Sequence, residues 1–428
     1  FLIFEKIRVA MKRHSMTFKE AQEHCYYSNI FTTHTPVPAG IDIFPKWMIE
    51  KYFKDYAEQE LGISFNDFFE EGDLTKDQKV NDHFNMAYLA INNSNFVNGV
   101  SKLHGKIARK MWSLPPDRSQ IVSITNGIHL KTYLAIESEK LYRKNFGKDW
   151  LYEPAIWEEI SELPDKDLWN MRQKNRSKLI DFIHERTIDK IRLMHDSEDK
   201  ISEVQNLLDK DVLTIGFARR FATYKRGTLI FRNIERLKKI LANDKMKIQF
   251  VFSGKSHPKD EGGKNLISEI LRYAESEEFK NKIVFLDNYD IDVAKQLVRG
   301  CDVWLNNPRK PLEASGTSGM KVIANGGLNF SILDGWWIEG YTPETGWAIE
   351  TPENYESMSE YDVDNFESES LYNTLEKEII PLFYTRDEKG IPVEWVQKIK
   401  GSIKNLAGYF NTERMVKEYY EMFYSKVR

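Results

Sequence analysis

Val212-Leu-Thr-Ile-Gly-Phe-Ala218 is a short apolar run that ends at two arginines, and similar runs follow it along the chain. Stretches with helical spacing of apolar residues separate these runs. Strands that alternate with helices in this way form a parallel, doubly wound sheet. The sequence therefore predicts an α/β fold for this half of the chain. The other predicted strands are 248–253, 282–286, 302–305 and 328–333.

Polar motifs follow several of these predicted strands directly. They are Arg219 after the first strand, Gly254-Lys255 after the second, Asn288-Tyr289 after the third and Asn306-Asn307-Pro308 after the fourth. Ligands of doubly wound sheets bind outside the carboxyl ends of the strands. We therefore expect these motifs to converge on one crevice.

Length and composition limit the alternatives. With 428 residues, of which 41% are hydrophobic, the chain fits two or three domains. Lys plus Arg is 61 against 65 for Asp plus Glu, a net charge of −4 that argues against a nucleic-acid or membrane-surface binder. The two cysteines, Cys25 and Cys301, lack metal-ligand spacing. We predict a cytoplasmic protein without a metal, a nucleic-acid partner or a membrane partner.

Other regions of the sequence have different patterns of apolar and charged residues. Residues 1 to about 125 are mainly helical in pattern, with few strands. Alternating charges over 161–194 are typical of a solvated helix face. The last segment, 411–428, has the pattern of an amphipathic helix.

A loop of small residues lies between a carboxylate and a lysine in Glu313-Ala-Ser-Gly-Thr-Ser-Gly-Met-Lys321. Small residues let backbone N–H groups approach an anion closely, and the residues from Met320 onward have the pattern of a short helix that stops at Gly326-Gly327. Lys321 could be a plain countercharge or an amine that forms a Schiff base. The residues alone leave both alternatives open.

The segment Gly216-Phe-Ala-Arg-Arg-Phe-Ala-Thr-Tyr-Lys-Arg-Gly227 places four cations within eight residues. This density suits two phosphate groups that lie close together. The alternative is a solvated basic turn. The four cations are Arg219, Arg220, Lys225 and Arg226.

These two segments resemble the pyridoxal phosphate lysine region and the phosphate-binding segment of the glycogen and α-glucan phosphorylases. Further matches occur in the order of that family, and the run Asp334-Gly-Trp-Trp-Ile-Glu339 is similar to its bacterial and archaeal branch. The further matches are Thr33-His-Thr-Pro-Val-Pro38, Val97-Asn-Gly-Val-Ser-Lys-Leu-His104, Thr125-Asn-Gly-Ile128 and Asn329-Phe-Ser-Ile-Leu-Asp-Gly335.

The resemblance implies a GT-B-like glycosyltransferase arrangement of two nucleotide-binding-like domains, with the first domain truncated. On this interpretation, 1–128 is the mostly helical remainder of the first domain, 129–408 binds pyridoxal 5′-phosphate, and 409–428 is a helix that crosses back. The implied reaction releases α-D-glucose 1-phosphate from an α-1,4-glucan with inorganic phosphate. A homo-oligomer is left open, and the truncation implies little or no activity for the 428 residues alone.

Site residues are carried over position by position. Ala222 and Asp290 depart from the animal-type pattern, and Tyr133 stands where other branches have tryptophan. The resemblance implies catalytic roles for Arg220, Lys225, His34 and Glu313, cofactor contacts for Lys321, Arg219, Thr317, Ser318, Tyr289 and Tyr133, and substrate contacts for Asn126, Tyr224, Ser315 and Gly316.

Each candidate also has a structural alternative. His34 could be a core histidine, Lys321 a surface lysine in a salt bridge, and Glu313 a helix cap. Trp336 and Trp337 could stack on sugars or fill the core, and we expect core packing for one of them.

Two rival functions remain at this point. The first is a sugar-nucleotide glucan synthase of the same fold, which commonly has a second glutamate eight residues after the first. This chain has Lys321 at that distance from Glu313, which disfavours a synthase. The second rival is a catalytically incompetent glucan-binding fragment.

Overall fold

The computed structural model describes residues 1–37, 40–73, 82–112, 120–152 and 156–427, so Pro38 of the quoted motif lies outside the described residues. The chain forms two compact units. Unit 1 comprises Phe1–Asn126, Pro311–Ser315 and Met415–Arg428, and unit 2 comprises Gly127–Lys310 and Gly316–Arg414.

Unit 1 combines short helices with a parallel sheet of three strands in the order β1-β4-β5 and an antiparallel β2/β3 pair. Stacked phenylalanines such as Phe4, Phe68 and Phe84 form its largest apolar cluster. Its elements are α1 (Leu2–His14), α2 (Phe18–Tyr26), β1 (Ile30–Thr32), β2 (Ile43–Pro45), α3 (Lys46–Asp55), α4 (Phe65–Glu70), β3 (His83–Asn85), α5 (Met86–Asn92), β4 (Phe96–Gly99), α6 (Lys102–Met111) and β5 (Val122–Ser123).

Unit 2 is built on six parallel strands in the order β11-β10-β9-β6-β7-β8, which confirms the predicted parallel α/β sheet. Its first elements are α7 (Leu130–Tyr133), α8 (Ile136–Phe146), α9 (Ile156–Glu159), α10 (Asp165–Leu193), α11 (Glu198–Glu203), β6 (Leu213–Phe221), α12 (Ile234–Leu241), β7 (Ile248–Ser256), α13 (Glu261–Ala274), β8 (Ile283–Leu286), α14 (Ile291–Gly300) and β9 (Val303–Asn306). The remaining elements are α15 (Met320–Ile323), β10 (Leu328–Ile332), α16 (Trp337–Gly340), β11 (Gly346–Ile349), α17 (Glu360–Thr374), α18 (Ile380–Tyr384) and α19 (Val393–Ser402). The last helix, α20 (Thr412–Met422), begins in unit 2 and belongs to unit 1 from Met415 onward. The edge strand β11 was not predicted from the sequence.

Two predicted strand ends were wrong. The ladder between β6 and β7 continues through the pair Phe221 and Ser256. Arg219 and Arg220 therefore lie within the end of β6, and Gly254-Lys255 lies within β7, whereas the sequence placed them in loops after the strands. Backbone pairing with the neighbouring strand extends both strands past the point where the apolar pattern stops.

The first half of α10 has a solvated face, with Lys166, Lys174 and Lys178 exposed, but two of its arginines do not belong to it. Arg172 and Arg176 are fully buried, and both donate to Asp302 Oδ1, at 3.2 and 2.9 Å. Arg172 also donates to the carbonyl oxygens at the C-terminal end of α14, where a cation is favoured. Gly326, at φ 73°, leaves the room that this side chain needs.

Both tryptophans of the 334–339 run belong to the core of unit 2. Trp336 and Trp337 are buried, and the Trp337 indole donates to the Trp347 carbonyl oxygen at 3.1 Å. Neither ring is exposed for stacking on a sugar. Among the described helices, none is both long enough and apolar enough to cross a bilayer.

Candidate active site

The chain changes direction across the sheet of unit 2 between β6 and β9. From β6 the strand order runs to β7 and β8 on one side and then returns to β9 on the other side. Such a switch point opens a crevice at the carboxyl ends of the two strands. Arg219, near the end of β6, donates to the side-chain amide oxygen of Asn306 at the end of β9. Arg220, the next residue, has an exposed side chain.

A short 3₁₀ turn, Thr223–Lys225, follows β6. The Lys225 amine lies 4.7 Å from the centre of the Tyr224 ring. Arg226, which was predicted as the fourth phosphate-binding cation, is instead buried and paired with Asp364 and Glu367. The phosphate-binding prediction is therefore reduced to Arg219, Arg220 and Lys225.

The small-residue loop turns tightly before Lys321. The N–H groups of Gly319, Met320 and Lys321 donate to the carbonyl oxygens three residues earlier, so they are not available to an anion. Gly316 adopts φ 77°, which favours glycine. Among the described residues, no acceptor takes the N–H groups of Thr317 and Ser318. These two amides are the donors that the loop offers.

Two buried residues hold the shape of this loop from below. Asn329 of β10 donates to the Gly319 carbonyl oxygen at 2.9 Å, and a Cβ atom at Gly319 would lie 2.3 Å from the Asn329 side-chain oxygen. The Trp304 indole of β9 donates to the Ser318 hydroxyl oxygen at 3.2 Å. Since that oxygen accepts from Trp304, the hydroxyl proton of Ser318 points elsewhere.

Lys321, on the first turn of α15, is half-buried and faces an aromatic ring. Its amine lies 4.5 Å from the centre of the Tyr133 ring, and no carboxylate of the described chain pairs with it. Asn325 sets this arrangement, because its side-chain NH₂ donates to the carbonyl oxygens of Tyr133, at 2.9 Å, and of Lys321, at 3.2 Å. Its side-chain oxygen accepts from the Ala135 N–H at 2.8 Å.

Tyr289 lies in the segment after β8 and belongs to the same neighbourhood. Burial raises the pKa of its phenol, the nearby Tyr133 adds to this rise, and Arg219 opposes it. Tyr133 and Tyr289 also pack against the same apolar cluster of unit 2. Asp290, the residue that departs from the animal-type pattern, caps α14 by accepting from the N–H groups of Asp292 and Val293.

The candidates of unit 1 gather at the carboxyl edge of its small sheet. His34 follows β1 and is exposed, and Asn126 follows β5, with its N–H donating to Val100 after β4. Ser101, beside Val100, donates to the Ala314 carbonyl oxygen at 2.7 Å, which brings the neighbours of Ala314 to this edge. Those neighbours, Glu313 and Ser315, are both buried.

Three contacting residues were not predicted from the sequence. Trp304 and Asn329 bind the small-residue loop, and Asn325 binds the main chain of Lys321. Their signals are weak, since a buried amide at a helix end and a tryptophan within an apolar strand are common in structural cores. No group of His, Cys, Asp or Glu within the described ranges could hold a metal ion.

The chain belongs to the carbohydrate phosphorylase family, whose sequence profile matches residues 1–342. Relatives at the level of whole sequences agree. The chain is 42% identical over 434 residues to a maltodextrin phosphorylase of Thermococcus litoralis, a match that covers 100% of this chain and 50% of the relative. It is 39% identical to a glycogen phosphorylase of Aquifex aeolicus, with 100% and 61% covered, and 39% identical to one of Mycobacterium tuberculosis, with 99% and 50% covered.

The chain thus spans between 50% and 61% of the length of these curated relatives. Their names describe phosphorylases of maltodextrin and glycogen. Those activities belong to the longer proteins, and for this chain they motivate the proposal that follows.

Proposed function

We propose that this chain carries catalytic residues of an α-glucan phosphorylase, which releases α-D-glucose 1-phosphate from an α-1,4-glucan with inorganic phosphate. The observation that carries the proposal is the Lys321 amine, which faces Tyr133 without an ion pair in the described chain, three residues after the free amide of Ser318. An amine beside unused N–H groups suits a ligand that bears both an aldehyde and a phosphate. The family and the names of the relatives support the same reaction.

The residues of unit 2 fit pyridoxal 5′-phosphate. Lys321 would hold it covalently, and Tyr133 and Tyr289 would flank its ring. The N–H groups of Thr317 and Ser318 would donate to its phosphate, whose charge Arg219 would balance. The backbone of Gly316, at φ 77°, and the Ser318 hydroxyl complete the cradle. When bound, pyridoxal phosphate supplies a phosphate group that exchanges a proton with inorganic phosphate.

The chain's own cations have a defined task in this reaction. Two phosphate groups that approach each other repel, and positive charge held in place lowers that repulsion most in a site with little water. Arg220 and Lys225, at the end of β6 and in the turn after it, are placed to supply this charge. Tyr224, next to Lys225, is proposed to contact the sugar.

The candidates of unit 1 are proposed to serve the glucan. His34, Asn126, Glu313 and Ser315 gather at one sheet edge and offer ring, amide, carboxylate and hydroxyl groups that match sugar hydroxyls. The GT-B-like arrangement of two domains, with boundaries near 128 and 408, and a cytoplasmic location remain parts of the proposal.

The test is an assay of glucose 1-phosphate release from maltodextrin and inorganic phosphate by the complete gene product that contains these 428 residues. We expect release that depends on both phosphate and pyridoxal phosphate, and we expect Lys321→Ala to abolish it. Release that continues in the Lys321→Ala variant would contradict the proposal. Glucosyl transfer from a nucleoside diphosphate glucose, without phosphate dependence, would indicate the rival synthase.

A further inference from the structure

Arg226 has an unusual backbone conformation directly after Lys225. Its φ of 48° and ψ of 50° lie in the left-handed region, which favours glycine. A residue with a long side chain keeps this conformation only where its surroundings hold it there. The contacts of Arg226 therefore determine how the preceding turn, Thr223–Lys225, is held.

The side chain of Arg226 ties this turn to the segment after β9. It is 5% exposed, and its guanidinium donates to the carbonyl oxygens of Asn307, at 3.0 Å, and Pro308, at 2.9 Å. In return, the Asn307 side-chain amide donates to the Arg226 carbonyl oxygen at 2.9 Å. These contacts fix both the side chain and the main chain of Arg226.

Two carboxylates of α17 complete the surroundings. Asp364 accepts from the Arg226 guanidinium at 2.8 Å, and Glu367, which is 1% exposed, pairs with the same nitrogen. Glu367 is itself oriented by the Thr351 hydroxyl, which donates to its other oxygen at 2.6 Å. The charge of Arg226 is therefore balanced by α17 and is not available to a bound phosphate.

Asp364 also reaches the other side of the same turn. It pairs with Arg309 at 3.0 Å, and the Arg309 main-chain N–H donates to the Tyr224 carbonyl oxygen at 2.6 Å. The Asp364 carboxylate thus contacts both Arg226, which follows Lys225, and Arg309, whose main-chain N–H binds the Tyr224 carbonyl oxygen.

We infer that Asp364 and Glu367 are positioning residues for phosphate binding, an inference that rests on the proposed function. Both act through Arg226, and Asp364 acts also through Arg309, to hold Tyr224 and Lys225 in place; neither is a proposed contact of the reacting groups. Because a site that is displaced by about 1 Å can lose about two orders of magnitude in rate, a support of this kind has a measurable effect. The helix α17 would thus support phosphate binding, although the sequence of α17 carries no motif.

The experiment measures the affinity for inorganic phosphate from the phosphate-dependent rise in melting temperature of the chain loaded with pyridoxal phosphate. Glu367→Gln keeps the shape and removes the charge, and we expect about tenfold weaker phosphate binding. Glu360→Gln is the matched control, because Glu360 is on the same helix, pairs with Arg309 at 3.3 Å and is 79% exposed. We expect its phosphate affinity to stay within about twofold of the wild type.

Asp364→Asn provides a second variant if Glu367→Gln does not fold, and we expect a loss in the same direction. Lower melting temperatures with unchanged phosphate affinity in both variants would show a structural role only and overturn the inference. In that case the proposed function still stands, provided that Arg220→Ala removes the phosphate effect of the wild type. A wild-type chain without a saturable phosphate effect that depends on Arg220 would overturn the proposed function, and the inference with it.

Discussion

The carboxyl ends of the two parallel sheets carry different chemistry. In unit 1 the sheet has three strands of two to four residues, and its candidates, such as His34 and Asn126, include no lysine or arginine. In unit 2 the sheet has six strands, and its candidates include cations, such as Arg219 and Lys321. On the proposed function, the phosphate chemistry would lie on the larger core.

A physical reason supports this division. A buried charge is costly unless it is paired and hydrogen-bonded, and the partners themselves need support. Unit 2 supplies such partners repeatedly: Asp302 for Arg172 and Arg176, and Asp364 with Glu367 for Arg226. These pairs link the helices α10 and α17 to the segments beside β6 and β9, which carry the candidate site.

The largest effect is expected where the buried ion pairs of Asp302 are removed. Asp302 accepts from both buried arginines, and its second oxygen accepts from the Thr214 N–H at 3.0 Å. Asp302→Asn should lower the free energy of unfolding of unit 2 by about 3 to 5 kcal/mol, because it leaves two buried guanidinium groups without their carboxylate. Denaturant unfolding, with hydrogen exchange of the β6 and β9 amides, measures the loss.

The matched control for Asp302→Asn is a carboxylate on α10, the helix that carries Arg172 and Arg176. Asp181 pairs with Lys210 at the surface, where both side chains are about half exposed. Asp181→Asn should change the free energy of unfolding by less than about 1 kcal/mol. Equal losses in the two variants would show that the buried cluster has no special role in unit 2.

A second prediction concerns the charges at the end of β6. Arg220→Ala or Lys225→Ala should lower the rate of phosphorolysis about 10²- to 10³-fold, because a contact that strengthens in the transition state is removed. Glucan binding should remain nearly intact, since neither cation is among the proposed glucan contacts. Near-normal rates in both variants would mean that Arg220 and Lys225 have no role in the reaction.

Much of this organisation could be predicted from the sequence, and the limits have identifiable causes. The parallel sheet followed from apolar runs that alternate with helices, and β11 was missed because Gly346–Ile349 is short and lies among turn residues. The role of Arg226 could not be predicted, because its carboxylates lie about 140 residues further along the chain. The arginines on α10 were misjudged for the same reason, since Asp302 lies 126 residues beyond Arg176.

A third, smaller effect is expected in unit 1. Burial lowers the pKa of His104 to about 4, the Thr35 backbone opposes this change, and the nearby His34 adds to it. One ring nitrogen accepts from the Val100 N–H at 3.2 Å, which requires that nitrogen to be unprotonated. The histidine pKa in an unfolded chain is about 6.5. Between about pH 6.5 and pH 4 the unfolded state therefore binds more protons, and stability falls as the pH falls.

The expected contribution of His104 over this window is on the order of 2 kcal/mol. His104→Asn keeps an acceptor and does not titrate, so its free energy of unfolding should depend less on pH than that of the wild type. Chemical denaturation at several pH values between 4 and 7 tests this. The same dependence of the free energy of unfolding on pH in both proteins would show that folding does not lower the pKa of His104.

The proposed function depends on the attachment of pyridoxal phosphate to Lys321. The most direct measurement loads the chain with pyridoxal phosphate, reduces it with borohydride and maps the modified peptide by mass spectrometry. We expect one major modified residue, Lys321, whose amine faces Tyr133 and has no ion pair in the described chain. Modification of another lysine, with Lys321 unmodified, would contradict the proposed attachment.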